Sequence, residues 1–265
     1  MPAETFVRKR LSWRGGTLSV LRREGPAPIV LLHGLCGGAV HYDDAFSATE
    51  LMGRGLTAVD LPGFGDSQGN DEKDVGLEAQ EEACRAVFAS LGGDELPALV
   101  AHSMAGSVAS RLLDDISTLV LLEGNMVKEN LEFSDKILST PQEDFEQEYA
   151  RMRESADVIF RLQTNVSDAA RRGRYAATFR SCSAKTVRSV AEEANLDVRN
   201  NKISRRLAAW GRRFYYYVGG KSDFDTNGIS AIGLDVVFRK ISGARHFLML
   251  DNPAETYAAI ANDTI

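Results

Sequence analysis

Three cysteines in 265 residues, Cys36, Cys84 and Cys182, are an odd number with no CxxC spacing, which argues against a disulfide framework and a zinc site alike. The expectation is a reducing, cytoplasmic setting and no metal. Long apolar runs are missing as well: no stretch approaches the roughly 20 residues of a membrane helix, and the opening MPAETFVRKRLSWRGG has no apolar run after its basic residues. Neither a secretory signal nor stable membrane insertion is therefore expected. Positive charge is in deficit, with 31 Lys and Arg against 37 Asp and Glu, net −6 and a pI near 5.4, so bulk charge gives no support for a nucleic-acid partner. The motifs GxxxxGKS/T and HExxH do not occur, and the Gly63-Phe64-Gly65 turn has the wrong spacing for a dinucleotide fingerprint. No cofactor is implied.

What remains is a globular composition, 44% hydrophobic and 26% charged, able to bury a large core. Short β-rich runs recur at 17–21, 29–32, 56–60, 98–101, 118–122, 214–218 and 236–241. Several are continuously apolar, as parallel strands covered on both faces are. Helical patterns at 77–91, 106–114 and 253–261 alternate with them, which predicts a parallel α/β sheet. From about Val127 to Trp210 the rhythm stops and the sequence turns charged and helix-favouring. A helical cap insertion over 125–211 is expected on a core of 1–124 and 212–265, covering the crevice at the carboxyl ends of the strands. Its many arginines, among them Arg151, Arg153, Arg161, Arg171, Arg172, Arg174, Arg180, Arg188, Arg205 and Arg206, read as solvated faces paired with the abundant acids. Any that pointed inward would suit a substrate carboxylate or phosphate.

One junction carries a candidate for chemistry. Ala101-His102-Ser103-Met104-Ala105-Gly106 joins the apolar run ending at Val100 to a helical pattern. A serine between small residues there is either a plain tight turn or a nucleophile on a strained elbow. A serine nucleophile needs a base, and a carboxylate to fix the base's tautomer and stabilise its imidazolium. Of the four histidines, His33, His41, His102 and His246, only His246 satisfies the chain order serine, acid, histidine, and it sits in the loop after the last strand pattern. For the acid, Asp223 in the turn after Phe214–Val218 is the first choice, Asp225 the second, and Glu123, ending the run Leu119–Leu122, a third, with a role at the cap junction as its competing explanation. The oxyanion donors expected are the backbone N–H groups of Met104 and of Leu35, in the loop His33-Gly34-Leu35-Cys36-Gly37-Gly38. His33, Cys36, His41 and His102 are possible pocket residues. His33 also reads as a structural loop histidine, Cys36 as an inert small residue, and His41 as a helix-start residue facing solvent.

Together these segments resemble the α/β-hydrolase fold. His33-Gly34 corresponds to the oxyanion loop, Asp60-Leu61-Pro62-Gly63-Phe64-Gly65-Asp66-Ser67 to the loop after the next strand, and Ala101 to Ala105 to the nucleophile elbow. The acid turn is matched by Gly219 to Asp223 and the histidine loop by Gly243 to Pro253. The resemblance covers the chain apart from the cap. It implies Ser103 as nucleophile, Asp223 as acid, His246 as base and the Leu35 and Met104 amides as oxyanion donors. Two features depart from the pattern: Ala101 and Ala105 stand where glycine is usual, and His41-Tyr42 where many relatives carry a tryptophan. The expected partner is a small-molecule ester or thioester. The alternatives are hydrolysis of a carbon–carbon bond next to a carbonyl, which would favour an inward arginine, and a non-catalytic receptor of the same fold.

Overall fold

The computed structural model describes residues 6–67 and 75–265, so the first five residues of the basic opening lie outside it. Eight strands form one sheet: β1 (Val7–Trp13), β2 (Gly16–Arg23), β3 (Ile29–Leu32), β4 (Leu56–Val59), β5 (Ala98–His102), β6 (Thr118–Leu122), β7 (Phe214–Gly219) and β8 (Val236–Ile241). Their spatial order is β1-β2-β4-β3-β5-β6-β7-β8, antiparallel at β1–β2 and β2–β4 and parallel thereafter. The central strands are the continuously apolar ones. Every residue of Ile29–Leu32 is fully buried, as a strand with helices on both faces requires. β1 lies outside the predicted set. It pairs on one side only, carries Arg8, Lys9 and Arg10, and so has the charge of an edge rather than the pattern of a core strand.

The helices fill both faces: α1 (Leu77–Ala89), α2 (Ala105–Ala109), α3 (Glu132–Ser139), α4 (Gln142–Glu154), α5 (Ala156–Gln163), α6 (Ala169–Ser181), α7 (Ala184–Arg199), α8 (Lys202–Trp210), α9 (Thr226–Ala231), α10 (Leu248–Asp251) and α11 (Pro253–Asp263). α2 is shorter than the helix predicted over 106–114. After Ala109 the backbone tightens to three-residue spacing, with Arg111 N donating to Val108 O and Leu112 N to Ala109 O, each at 3.0 Å. The 3-10 segment Ala39–Phe46, also unpredicted, follows the loop after β3.

Helices α3 to α8 fall between β6 and β7, where the sequence loses its strands. α7 buries Val187, Val190, Ala191, Ala194 and Val198, a helical-period apolar stripe. Its Ser183 cap accepts from Thr186 N, a contact that typically contributes about 1 kcal/mol. α6 is tied to the 3-10 segment by the Arg171–Asp44 and Arg174–Asp43 pairs. A second tie comes from the segment after α5: Asn165 N donates to Asp251 Oδ1 at 2.6 Å and its Nδ2 to Gly243 O at 2.7 Å. This helical segment is thereby joined to the loop that carries His246.

Candidate active site

Ser103 stands where β5 ends and α2 begins, at φ +54°, in the left-handed region that L residues seldom adopt. Such a conformation costs on the order of 1–3 kcal/mol and persists only where the surroundings fix it. Here they do: Ser103 N donates to Leu122 O at 3.0 Å, while its carbonyl accepts from Gly106 N at 3.0 Å and Asn125 N at 3.2 Å. The alanines in place of the usual glycines fit, since Ala101 and Ala105 are wholly buried without a polar atom to satisfy. A glycine stands one residue on, at Gly106, where a Cβ would come within 3.4 Å of Gly124 Cα.

The carboxylate that meets His246 is Glu123, not Asp223. His246 Nδ1 donates to Glu123 Oε2 at 2.7 Å, and Glu123 Oε1 accepts from Gly219 N at 2.8 Å. Glu123 is completely buried and itself adopts φ +45°. Asp223 lines the same cavity but is exposed, and no hydrogen bond ties it to His246. Asp225 caps α9, its carboxylate accepting from Asn227 N at 2.9 Å and Gly228 N at 3.1 Å. Both aspartates follow β7, whereas Glu123 directly ends β6, the adjacent strand, and only its side chain reaches the histidine.

Ser103 and His246 line one cavity of about 550 Å³, together with Leu35, Met104, Phe160 and Phe247. No hydrogen bond joins Ser103 Oγ to His246 Nε2 among the described residues; with Nδ1 on Glu123, Nε2 is the nitrogen left for the serine. Neither Leu35 N nor Met104 N donates to another described group. Two backbone N–H groups beside Ser103 are thus available to an oxygen.

The remaining histidines take other places. His33 does not line the cavity, contrary to its inclusion among the pocket candidates: it is fully buried, donating from Nδ1 to Gly34 O at 2.8 Å and accepting at Nε2 from Leu61 N at 3.1 Å. Burial depresses its pKa. His41 does line the cavity, yet it is 1% exposed rather than solvent-facing, and Nε2 contacts Thr178 Oγ1 at 3.2 Å while Nδ1 has no partner. Burial lowers its pKa to about 3. Cys36 lines the cavity too, at φ +60°, its sulfur 3.5 Å from Tyr149 Oη. None of the arginines between 125 and 211 lines the cavity, and Arg245, which does, donates to Leu162 O at 2.6 Å. No group of His, Cys, Asp or Glu among the described residues could hold a metal.

A mostly parallel sheet with a serine at a strained strand–helix turn and a carboxylate-paired histidine on a neighbouring loop belongs to the hydrolase class of α/β proteins. Residues 29–260 match the family model described as "Alpha/beta hydrolase family", and the chain belongs to that family. Among curated protein sequences, none matches the chain. Similar solved structures include N-formylmaleamic acid deformylase from Pseudomonas putida, 18% identical over 96% of this chain and 100% of that one, TM-score 0.73. A variant of the N-acyl homoserine lactonase AidH, complexed with N-hexanoyl homoserine, is 16% identical over 97% of this chain and 96% of its own, TM-score 0.78. An esterase from Exiguobacterium antarcticum is 16% identical over 98% of both chains, TM-score 0.76. At these identities the likeness establishes the fold. Among the described residues no helix is long and apolar enough to cross a membrane.

Proposed function

We propose that this chain is a serine hydrolase that cleaves a carboxylic ester or thioester through Ser103, His246 and Glu123. The observation that carries the reading is the 2.7 Å contact between His246 Nδ1 and the buried Glu123 carboxylate, on the wall of the cavity that Ser103 also lines. Holding Nδ1–H on the carboxylate leaves Nε2 as a free base. Nε2 takes the Ser103 proton as Oγ attacks the carbonyl carbon, and Glu123 stabilises the imidazolium that results. The carbonyl oxygen, now negative, lies against the Leu35 and Met104 N–H groups, each free to donate. Collapse of the tetrahedral intermediate expels the alcohol or thiol, which takes its proton from His246. Water then repeats the sequence on the acyl-enzyme and releases the acid.

The cavity suits an acyl group of modest size, since its volume lies within the range of small-molecule sites. Its wall also carries Lys136, Lys221 and Arg245, so turnover of esters and thioesters against β-diketones separates this reading from carbon–carbon bond hydrolysis. The experiment is intact-protein mass after fluorophosphonate treatment. Wild type should gain one adduct, and Ser103→Ala and His246→Ala, folded by thermal melt, should gain none and lose ester hydrolysis by at least about 10³-fold. Absence of an adduct on wild type, under conditions that label a control hydrolase, would sink the proposal and direct attention to ligand binding without turnover.

A further inference from the structure

His246 is held at two points, and only one of them is its side chain. Its carbonyl accepts from His102 Nε2 at 2.9 Å, and the two imidazoles lie 4.6 Å apart between ring centres. The neighbouring loop carbonyls are held by main chain: Ala244 O accepts from Lys221 N at 2.8 Å, and Phe247 O accepts from Leu250 N and Asp251 N at 2.9 Å. At His246 itself the donor is a side chain, and it comes from the residue preceding Ser103.

The His102 ring is confined on its other side as well. A Cβ on Gly34 would come within 2.9 Å of His102 Nδ1 and 3.0 Å of Ser103 Cβ, so the ring packs directly against the loop that offers Leu35 N. His102 is 1% exposed. Because a carbonyl can only accept, Nε2 carries the proton. Nδ1 is then a bare acceptor, and no group donates to it. Burial, reinforced by the nearby His246, keeps the ring's pKa well below the usual imidazole range, so this single tautomer persists through neutral pH. An unpaired buried acceptor is a cost that a phenylalanine or leucine would avoid. The hydrogen bond that Nε2–H donates from the opposite edge of the ring accounts for a histidine at this position.

We propose that His102 is a positioning residue: through its Nε2–H it fixes the His246 backbone, and so the approach of the His246 imidazole to Ser103. The proposal rests on His246 acting as the base. Misplacement of a catalytic group by about 1 Å can lower turnover on the order of 10²-fold without altering substrate affinity. His102→Phe keeps a ring and removes the donor, whereas His102→Gln keeps an N–H on a side chain of similar reach.

The test combines active-site titration by fluorophosphonate with steady-state kinetics on p-nitrophenyl butyrate. Expressed per titrated serine, kcat of His102→Phe should fall roughly 10- to 100-fold with KM within about twofold, and His102→Gln should recover to within about fivefold of wild type. A purely structural role would lower the melting temperature and the titratable fraction while leaving kcat per titrated site intact. That result, or a glutamine variant no better than phenylalanine, overturns the proposal. Wild-type protein that titrates with no serine at all would instead overturn the underlying functional reading. If the phenylalanine variant does not fold, nitrogen chemical shifts of ¹⁵N-histidine in wild type decide: His102 protonated on Nε2 alone from pH 6 to 8 is expected, and the opposite tautomer overturns the proposal.

Discussion

At the scale of single residues, two backbone exceptions hold the serine and the carboxylate. Ser103 and Glu123 close neighbouring parallel strands, and both adopt positive φ without being glycine. Each strained turn redirects a side chain out of the sheet at its carboxyl edge, the serine into the cavity and the glutamate toward the histidine loop. Of the three acids the sequence offers, the one that meets His246 is Glu123, its third choice. Asp223, Asp225 and Glu123 all follow strands that pair with each other, and strand-end position cannot rank them. What separates them is burial: Glu123 is sealed off, with both oxygens engaged by N–H donors, while Asp223 is exposed. Exchanging Glu123 for glutamine would set an amide against the Nδ1–H it now accepts, or invert the tautomer. We expect Glu123→Gln to lower kcat by about 10³- to 10⁴-fold, while Asp223→Asn stays within about threefold of wild type. Steady-state hydrolysis of a p-nitrophenyl ester by both folded variants checks this, and the reverse ranking would return the acid to the β7 turn.

At the scale of elements, the site depends on how closely β7 approaches the loop after β8. Gly219 ends β7 and donates to Glu123, and a Cβ there would lie 2.5 Å from Arg245 O and 2.6 Å from Ala244 O, both main-chain atoms that can give way only if the loop shifts. Gly219→Ala should therefore push the histidine loop away, costing about 1–3 kcal/mol of stability and lowering kcat at the same time. Gly173, within α6 and with nothing within 4 Å of its Cβ position, is the matched control. Alanine there should raise stability by up to about 1 kcal/mol with turnover unchanged. Thermal melts and kinetics on the two variants check the pair; a Gly219 variant as stable and active as wild type would show that the loop can retreat. The central strands were legible because burial on both faces leaves a continuous apolar run. β1 was not, since an edge strand with three basic residues has no such run. The Glu123–Gly219 contact was equally hidden, because it joins residues 96 positions apart.

At the scale of the whole molecule, the helices from α3 to α8 were legible as a departure from the strand rhythm, but which of their side chains reach the cavity depends on packing that no local pattern encodes. The same packing buries His33, His41 and His102 so completely that their neutral forms are favoured. The consequence for stability has a definite sign. His41 titrates near 6.5 when the chain is unfolded and at about 3 in the fold. Between those values the unfolded state binds the extra proton, so stability is present above pH 6.5 and is lost as the pH falls. From about pH 6.5 to about 5.5 this linkage amounts to about 1 kcal/mol for His41, and the depressed pKa values of His33 and His102 act in the same direction. Urea unfolding at about pH 7.5, 6.5 and 5.5 should show falling stability, and His41→Phe should lose about 1 kcal/mol less than wild type over the lower interval. Ring-for-ring replacement suits the test, because His41 packs edge-on against Phe160, Tyr175 and Phe247 at 5.5–5.9 Å between centres. Identical acid slopes in the two proteins would mean that His41 accepts a proton in the folded state, through opening of the cavity wall on which it lies.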